Sequence, residues 1–421
     1  MLLLALSLAA AIVVQAPAEP AGALLLTGAR VLDPDGTGWL EGRAVLVRGG
    51  RIEAVAPEAE IAGADAARRI VLDGRFLTPG LIDLHTHLLL HPYDETPWSD
   101  QVLKQSLELR TIRGVVAARA TLAAGFTPIR DLGTEGAAFA DVALRDAIEQ
   151  GLIEGPRVLA STRAIVATGC YGPAGFDPRW EVPKGAEEAD GVDGVRVAVR
   201  RQVAAGADWI KVYADYRRRP GDPSTPTFSL EELSALVDEA VSAGVPVAAH
   251  ASTDEAIRRA VEAGAVTIEH GTEVSQATLR LMRERGVALV PTLAASEAIA
   301  RYAGWDGHGP EPDRVARSRA MFRRALDSGV TIGCGGDTGV YAHGDNAREL
   351  ELMVAYGMSP ADALRSATVV AARVLRRDDL GRIAPGAAAD LVAFEADPLT
   401  DVSPLRAPTL VIRDGRRVPS R

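Results

Sequence analysis

The chain has 421 residues, 47% of them hydrophobic and 24% charged, with a formal net charge of −10. That length exceeds a minimal domain and suits a barrel with a smaller attached unit, and the composition is that of a globular protein with a large core. The negative charge disfavours nucleic acid or an anionic membrane surface as a partner. The two cysteines, Cys170 and Cys334, are too few for a disulfide framework. A bridge between them stays open, with two unpaired thiols the simpler expectation.

The run from Met1 to Val14 is apolar but short for a membrane span. Ala16 and Ala18 follow in the small-x-small pattern of a cleavage site. Residues 1–18 are therefore expected to be a signal peptide, although no Lys or Arg precedes the apolar run, and a buried first helix is the alternative. Export predicts a periplasmic or secreted protein with no stable membrane span once the signal is removed.

From Leu24 to Leu77 the pattern is short strands and turns, with Asp33-Pro-Asp-Gly36 and Gly49-Gly50 as turn signals. The same texture returns at Asp390–Phe394 and Thr409–Arg413, joined by a hairpin turn at Asp414-Gly415. Residues 19–77 and 383–421 are thus expected to form one small β-sandwich from both chain ends. The middle, 78–382, repeats a strand-then-helix unit. Strands are predicted at 81–87, 127–132, 157–161, 209–214, 245–250, 267–270, 288–292 and 331–335. Helices are predicted at 230–243, 253–263, 275–285, 313–328 and 361–374. Eight short apolar strands match a (β/α)8 TIM barrel. A doubly wound open sheet is the alternative, but no Gly-rich phosphate fingerprint supports it. The stretch Arg217–Pro226, with three adjacent arginines, reads as an exposed loop over the barrel mouth.

Polar residues capable of binding metal gather at the predicted strand ends, where barrel enzymes place their chemistry. His85 and His87 stand two apart at the end of the first strand and so share a face. Lys211 lies on the fourth strand, His250 and His270 end the fifth and sixth, and Asp337 follows the eighth. Each is costly to bury unless paired or liganded. Together they predict a metal centre.

These residues carry a resemblance. The motifs Pro79–His87, Ile210-Lys-Val-Tyr213, Ala249-His250, Ile268-Glu-His-Gly271 and Gly336-Asp-Thr338 resemble the binuclear-metal branch of the amidohydrolase superfamily. The likeness extends to 342–350 and 381–391 and points to imidazolonepropionase-like proteins and to Xaa-Pro and Xaa-Arg dipeptidases. It implies two divalent ions, zinc by ligand type, with His85, His87 and Asp337 holding the more buried one and His250 and His270 the other. Lys211 would bridge them as a carbamate; an ion pair with Asp215 is the alternative. A bridging hydroxide would attack the carbonyl, with Asp337 moving the proton and Tyr213 steadying the oxyanion. Nitrogen and oxygen ligands also suit manganese or cobalt.

His343, Tyr171 and Arg130 are candidate substrate-binding residues, whereas His91 and His308 read as surface residues. The dipeptidase-like relatives commonly carry Thr-Gly-Gly-His after strand three, where this chain has Thr168-Gly-Cys-Tyr171. The phenol in place of an imidazole weighs against a free carboxylate at that position. The expected activity is hydrolysis of an amide C–N bond in a small molecule, a dipeptide or an N-acyl amino acid. A cyclic amide, a lactone or ester, or a non-catalytic scaffold are the alternatives, and self-association into a homo-oligomer is compatible with the architecture.

Overall fold

The computed structural model describes residues 22–62, 67–177, 179–219 and 221–419. The expected signal peptide lies outside them. The two chain ends build one β-rich unit with a continuous eight-stranded sheet. Leu24–Leu32 pairs antiparallel with Trp39–Arg48, which pairs with Arg51–Ala56. It also runs parallel to Arg68–Val71 and Phe76–Pro79. Phe76–Pro79 is hydrogen-bonded in turn to Leu391–Phe394, which pairs with Leu410–Arg413. Alternation along the strands feeds two apolar clusters. Leu24, Leu26, Val45 and Val47 join Leu77, Leu391 and Ile412 in one, while Leu25, Ala44 and Leu46 belong to the other.

Between these ends lies the parallel barrel. Its strands are Leu81–Thr86, Phe126–Asp131, Arg157–Ala160, Ile210–Tyr213, Val247–Ala251, Thr267–His270 and Ala288–Val290. The Asp208 N–H donates to Ala160 O at 2.7 Å, linking the third and fourth. The eighth position is extended chain rather than the regular strand predicted at 331–335. It is held by isolated bridges from Leu289 to Ile332 and from Thr86 to Thr338. Leu84 N–H donates to Cys334 O at 2.8 Å, which closes the ring. Glycine explains the irregularity. A Cβ at Gly335 would lie 2.5 Å from Val290 Cγ1 and 2.9 Å from His85 N, so the bare backbone packs directly on its neighbours.

The surrounding helices Leu230–Ser242, Asp254–Ala263, Gln276–Arg285 and Asp313–Ser328 follow the apolar periodicity. Ser229 and Glu232 form a capping box at the first, and Gly264, Gly286 and Gly329 end the others in the left-handed region. The helix predicted at 361–374 is two, Pro360–Ser366 and Val369–Val374. The break frees the Ser366 and Ala367 carbonyls to accept from Cys334 N–H at 3.0 Å and Ile82 N–H at 2.7 Å, tying the helix to the barrel floor. The expected loop over the mouth contains a short hairpin, Asp215–Arg217 against Ser224–Pro226. Both cysteines are free and buried. Among the described residues no helix is long and apolar enough to cross a membrane.

Candidate metal centre

The imidazoles of His85 and His87 project from the end of the first barrel strand, with ring centroids 5.3 Å apart. Asp337 reaches them from the turn after the eighth position, with Oδ1 3.2 Å from His87 Nε2 and 3.6 Å from His85 Nε2. The ligand atoms of these three residues all lie within 4.8 Å of one another. Each imidazole is oriented from behind. His85 Nδ1 is 2.8 Å from Glu269 Oε2, and His87 Nδ1 is 2.8 Å from Gly133 O, so both Nε2 atoms face the site. Burial, backed by the nearby Lys211 charge, holds the His85 pKa well below normal, which favours the neutral form a metal requires. Burial opposes protonation of His87 as well, but the hydrogen bond and charge of Asp337 prevail and raise it to about 9. Burial would raise the Asp337 pKa, but the hydrogen bond and charge of His87, with the neighbouring imidazoles, hold it well below the carboxylate range. His87 Nε2 and Asp337 Oδ1 are thus drawn together across 3.2 Å.

The second half of the site lies beside the first. The His270 ring is 5.2 Å from His85 and 4.5 Å from His250. His270 Nδ1 meets Thr292 Oγ1 at 2.7 Å, and burial lowers its pKa to about 4. Burial also holds His250 well below normal, and its buried Nδ1 has no hydrogen-bond partner. Lys211 is 1% exposed, and its Nζ, 5.5 Å from the Tyr213 ring centroid, is likewise buried without a hydrogen-bond partner among the described residues. Asp215 Oδ2 accepts from Ser252 N–H at 2.8 Å and from the Thr253 N–H and hydroxyl at 2.6 and 2.7 Å, its Oδ1 lies 3.7 Å from His250 Nε2, and among the described residues no ion pair joins it to Lys211. That leaves the alternative of a Lys211–Asp215 ion pair without support. Burial lowers the Lys211 pKa to about 8, so loss of its proton is easy. His270, Thr292 and Asp337 all adopt positive φ, at 72°, 49° and 63°. Such backbone costs about 1–3 kcal/mol per residue and clusters where geometry is held for function.

A family model described as Amidohydrolase family matches residues 76–418. The chain belongs to the amidohydrolase family. A solved Xaa-Pro dipeptidase with bound methionine is 32% identical to this amidohydrolase, covers 94% of it and 99% of its own chain, and superposes with a TM-score of 0.84. Ochratoxinase from Aspergillus niger is 32% identical over 371 residues, 80% of this chain and 73% of its own. Imidazolonepropionase from Mycolicibacterium smegmatis is 27% identical over 384 residues, 88% and 89% of the two chains. The chain is accordingly a hydrolase of the class that acts on amide bonds.

The remaining predicted residues fare unequally in this amidohydrolase. Tyr213 stacks on His250 at 4.4 Å, and Tyr171 packs 4.3 Å from Tyr213, so both lie beside the imidazoles. Arg130 does not. It is fully buried beneath the site, donating to Leu84 O at 2.7 Å, Thr267 Oγ1 at 3.1 Å and Glu269 Oε1 at 2.9 Å, with its guanidinium 4.4 Å over the Trp209 ring. Its role is to hold Glu269, which orients His85, and its expected part in substrate binding is withdrawn. His343 is half-buried, with Nε2 3.1 Å from Leu90 O. His91, expected at the surface, is buried beside Gln101 and Gln105, whereas His308 is exposed. Sequence reasoning missed Glu135, Trp98 and the part played by Glu269. The Glu269 carboxylate inside the apolar Thr267–His270 strand was a usable signal, since a buried acid needs a partner. Glu135, in a loop, offered none.

Proposed function

We propose that this amidohydrolase cleaves the amide C–N bond of a dipeptide or N-acyl amino acid at a two-metal centre. One observation carries the reading: Lys211 brings a buried amine, without a hydrogen-bond partner among the described residues, to the strand ends that also carry four imidazoles and Asp337. An amine so placed can bear an expensive charge, rest neutral, or be converted to an anion. Capture of carbon dioxide by the neutral amine, with loss of one proton to solvent, gives a carbamate able to join two cations. The residues fit: His85, His87 and Asp337 would hold one ion and His250 and His270 the other, with Lys211 shared. When bound, the ions supply an acidified water and polarise the scissile carbonyl. Asp337 then accepts a proton at its carboxylate and returns it to the departing nitrogen. Tyr213, stacked on His250, offers its phenol to the developing negative charge. Tyr171, Tyr213, Tyr216 and Trp98 form an aromatic cluster beside His250, with contacting ring centroids 4.3–6.0 Å apart, which suits a flat or apolar substituent. Zinc is the expected ion. Residues 1–18 support export to the periplasm or medium.

A second reading, an uncharged cyclic amide or a lactone, draws on Tyr171 standing where an imidazole was expected. A library of dipeptides, N-acyl amino acids, lactams, lactones and esters, screened against metal-loaded enzyme, decides between them. Amide turnover that disappears with chelator is the expected result. Cleavage of esters or lactones alone, or full activity in chelator, would overturn the proposal.

A further inference from the structure

A cleft of about 790 Å³ lies where the barrel meets the β-rich unit. Arg157 lines it and opens the third barrel strand, so the cleft sits at the strand starts, on the face opposite the metal centre. Six of its lining residues are arginines, in a chain whose net charge is −10. Two tight turns gather them. The hairpin turn Asp414-Gly415 packs on Gly49-Gly50, where a Cβ on Gly415 would lie 3.3 Å from Gly50 Cα and 2.9 Å from Val47 Cγ1. Arg51 and Arg413 flank these turns, and Arg416 stands directly across the hairpin from Arg413. Like charges opposed in that way destabilise a strand pair. Arg377, from the segment that follows the helix Val369–Val374, adds to the same wall.

The carboxylates present do not match this charge. Asp379 is shared: it accepts from Arg377 at 2.8 and 3.0 Å and lies 3.7 Å from Arg51. Asp414 is shared in the same way by Arg157 at 2.5 Å and Arg413 at 3.4 Å, with Asp390 3.9 Å from Arg157. Glu154 pairs with Arg119 at 3.6 Å, which leaves Glu149 as the remaining acid on the lining. Arg416 and Arg417 are exposed and have no ion-pair partner among the described residues. The buried Nε–H groups of Arg157 and Arg413 likewise have no acceptor among them. We propose that this cleft binds an oligophosphate, a chain of two or more phosphoryl groups, either free or carried by a nucleoside. Guanidinium forks match phosphate oxygens in pairs. A monocarboxylate offers no more than Asp379 and Asp414 already supply. A phosphate chain brings several charges and enough acceptors to reach the barrel and hairpin arginines together. The volume falls in the range of small-molecule sites, about 300–1,000 Å³. The inference is independent of the amide-hydrolase reading.

The test is equilibrium dialysis of the metal-loaded enzyme against radiolabelled tripolyphosphate, in which chelated metal crosses the membrane and goes uncounted. One equivalent per chain should bind at low ionic strength, and added salt should weaken the binding. The double variant Arg416→Gln, Arg417→Gln alters exposed side chains and should fold as wild type by circular dichroism. It should bind about tenfold more weakly or worse, having lost two charge-assisted contacts. Arg51→Gln, on the other turn, gives a second reading and should weaken binding in the same direction. Competition tells the two sources apart. Equal displacement of the label by ATP and tripolyphosphate assigns a free phosphate chain, and tighter displacement by ATP assigns a nucleotide. Citrate displacing the label as well as tripolyphosphate does would overturn the phosphate class. Absence of binding, or binding that survives both the double variant and Arg51→Gln, would overturn the inference.

Discussion

Replacing Lys211 with methionine should make the metal-free protein more stable while depriving it of its metals. The side chain is enclosed and its Nζ meets no acceptor, and burial moves its pKa from the usual 10.5 to about 8. At 1.36 kcal/mol per pKa unit, that displacement represents about 3 kcal/mol of penalty on the ammonium form. The unfolded chain binds this proton up to about pH 10.5 and the folded chain releases it near 8. Stability therefore rises with pH across that window, and the penalty is fully present at pH 7. Methionine fills a similar volume and carries no charge, so the metal-free Lys211→Met variant should gain about 1–3 kcal/mol at pH 7. With a urea slope near ~3 kcal/mol/M, the unfolding midpoint moves up by about 0.3–1 M. The assay is urea unfolding of chelator-treated protein at pH 7 and pH 10.5, with metal content measured on parallel untreated samples. The gain should largely vanish at the higher pH. A variant less stable than wild type at pH 7, or a gain that ignores pH, would refute the claim that the amine is an unpaired buried charge awaiting chemistry.

Lys211→Ala should lose metal and activity, and short carboxylic acids added to the medium should restore part of both by standing in for the carbamate. Metal content and turnover measured with and without propionate check this. Asp337→Asn should keep much of its metal but lose about 10²–10⁴ in kcat, because an amide cannot shuttle the proton. Arg130→Met should destabilise by about 3–5 kcal/mol in urea unfolding, since it strands the Glu269 carboxylate in a dry interior. Removing metal with a chelator should abolish turnover, and zinc, manganese or cobalt should return it.

The predicted ligands could be read from the sequence because each one marks a strand end within a short local motif. Lys211, His250 and His270 reveal themselves as polar interruptions of apolar strands. Arg130 has the same appearance, yet its partner Glu269 is 139 residues away, and no local pattern tells a ligand from a buried ion pair. Glu135 has a similar history, since its partners Trp98 and Tyr171 are 37 and 36 residues distant and its loop has no periodicity. Apolar spacing also suggested a regular strand at 331–335 and one continuous helix at 361–374. Tertiary demands prevailed at both places. The barrel needed bare glycine backbone against Leu84 and Val290 at the first, and two free carbonyls at the second.

The seam between Phe76–Pro79 and Leu391–Phe394 has a bearing on how the enzyme matures. The strand bearing His85 and His87 runs on directly from that seam, so its anchorage is among the last pieces of the molecule to leave the ribosome. Until residue 394 has been made, the leading imidazole pair hangs from an unpaired edge. Completion of the β-rich unit is thus a late event, because Phe76–Pro79 gains its second neighbour only when Leu391–Phe394 has been made.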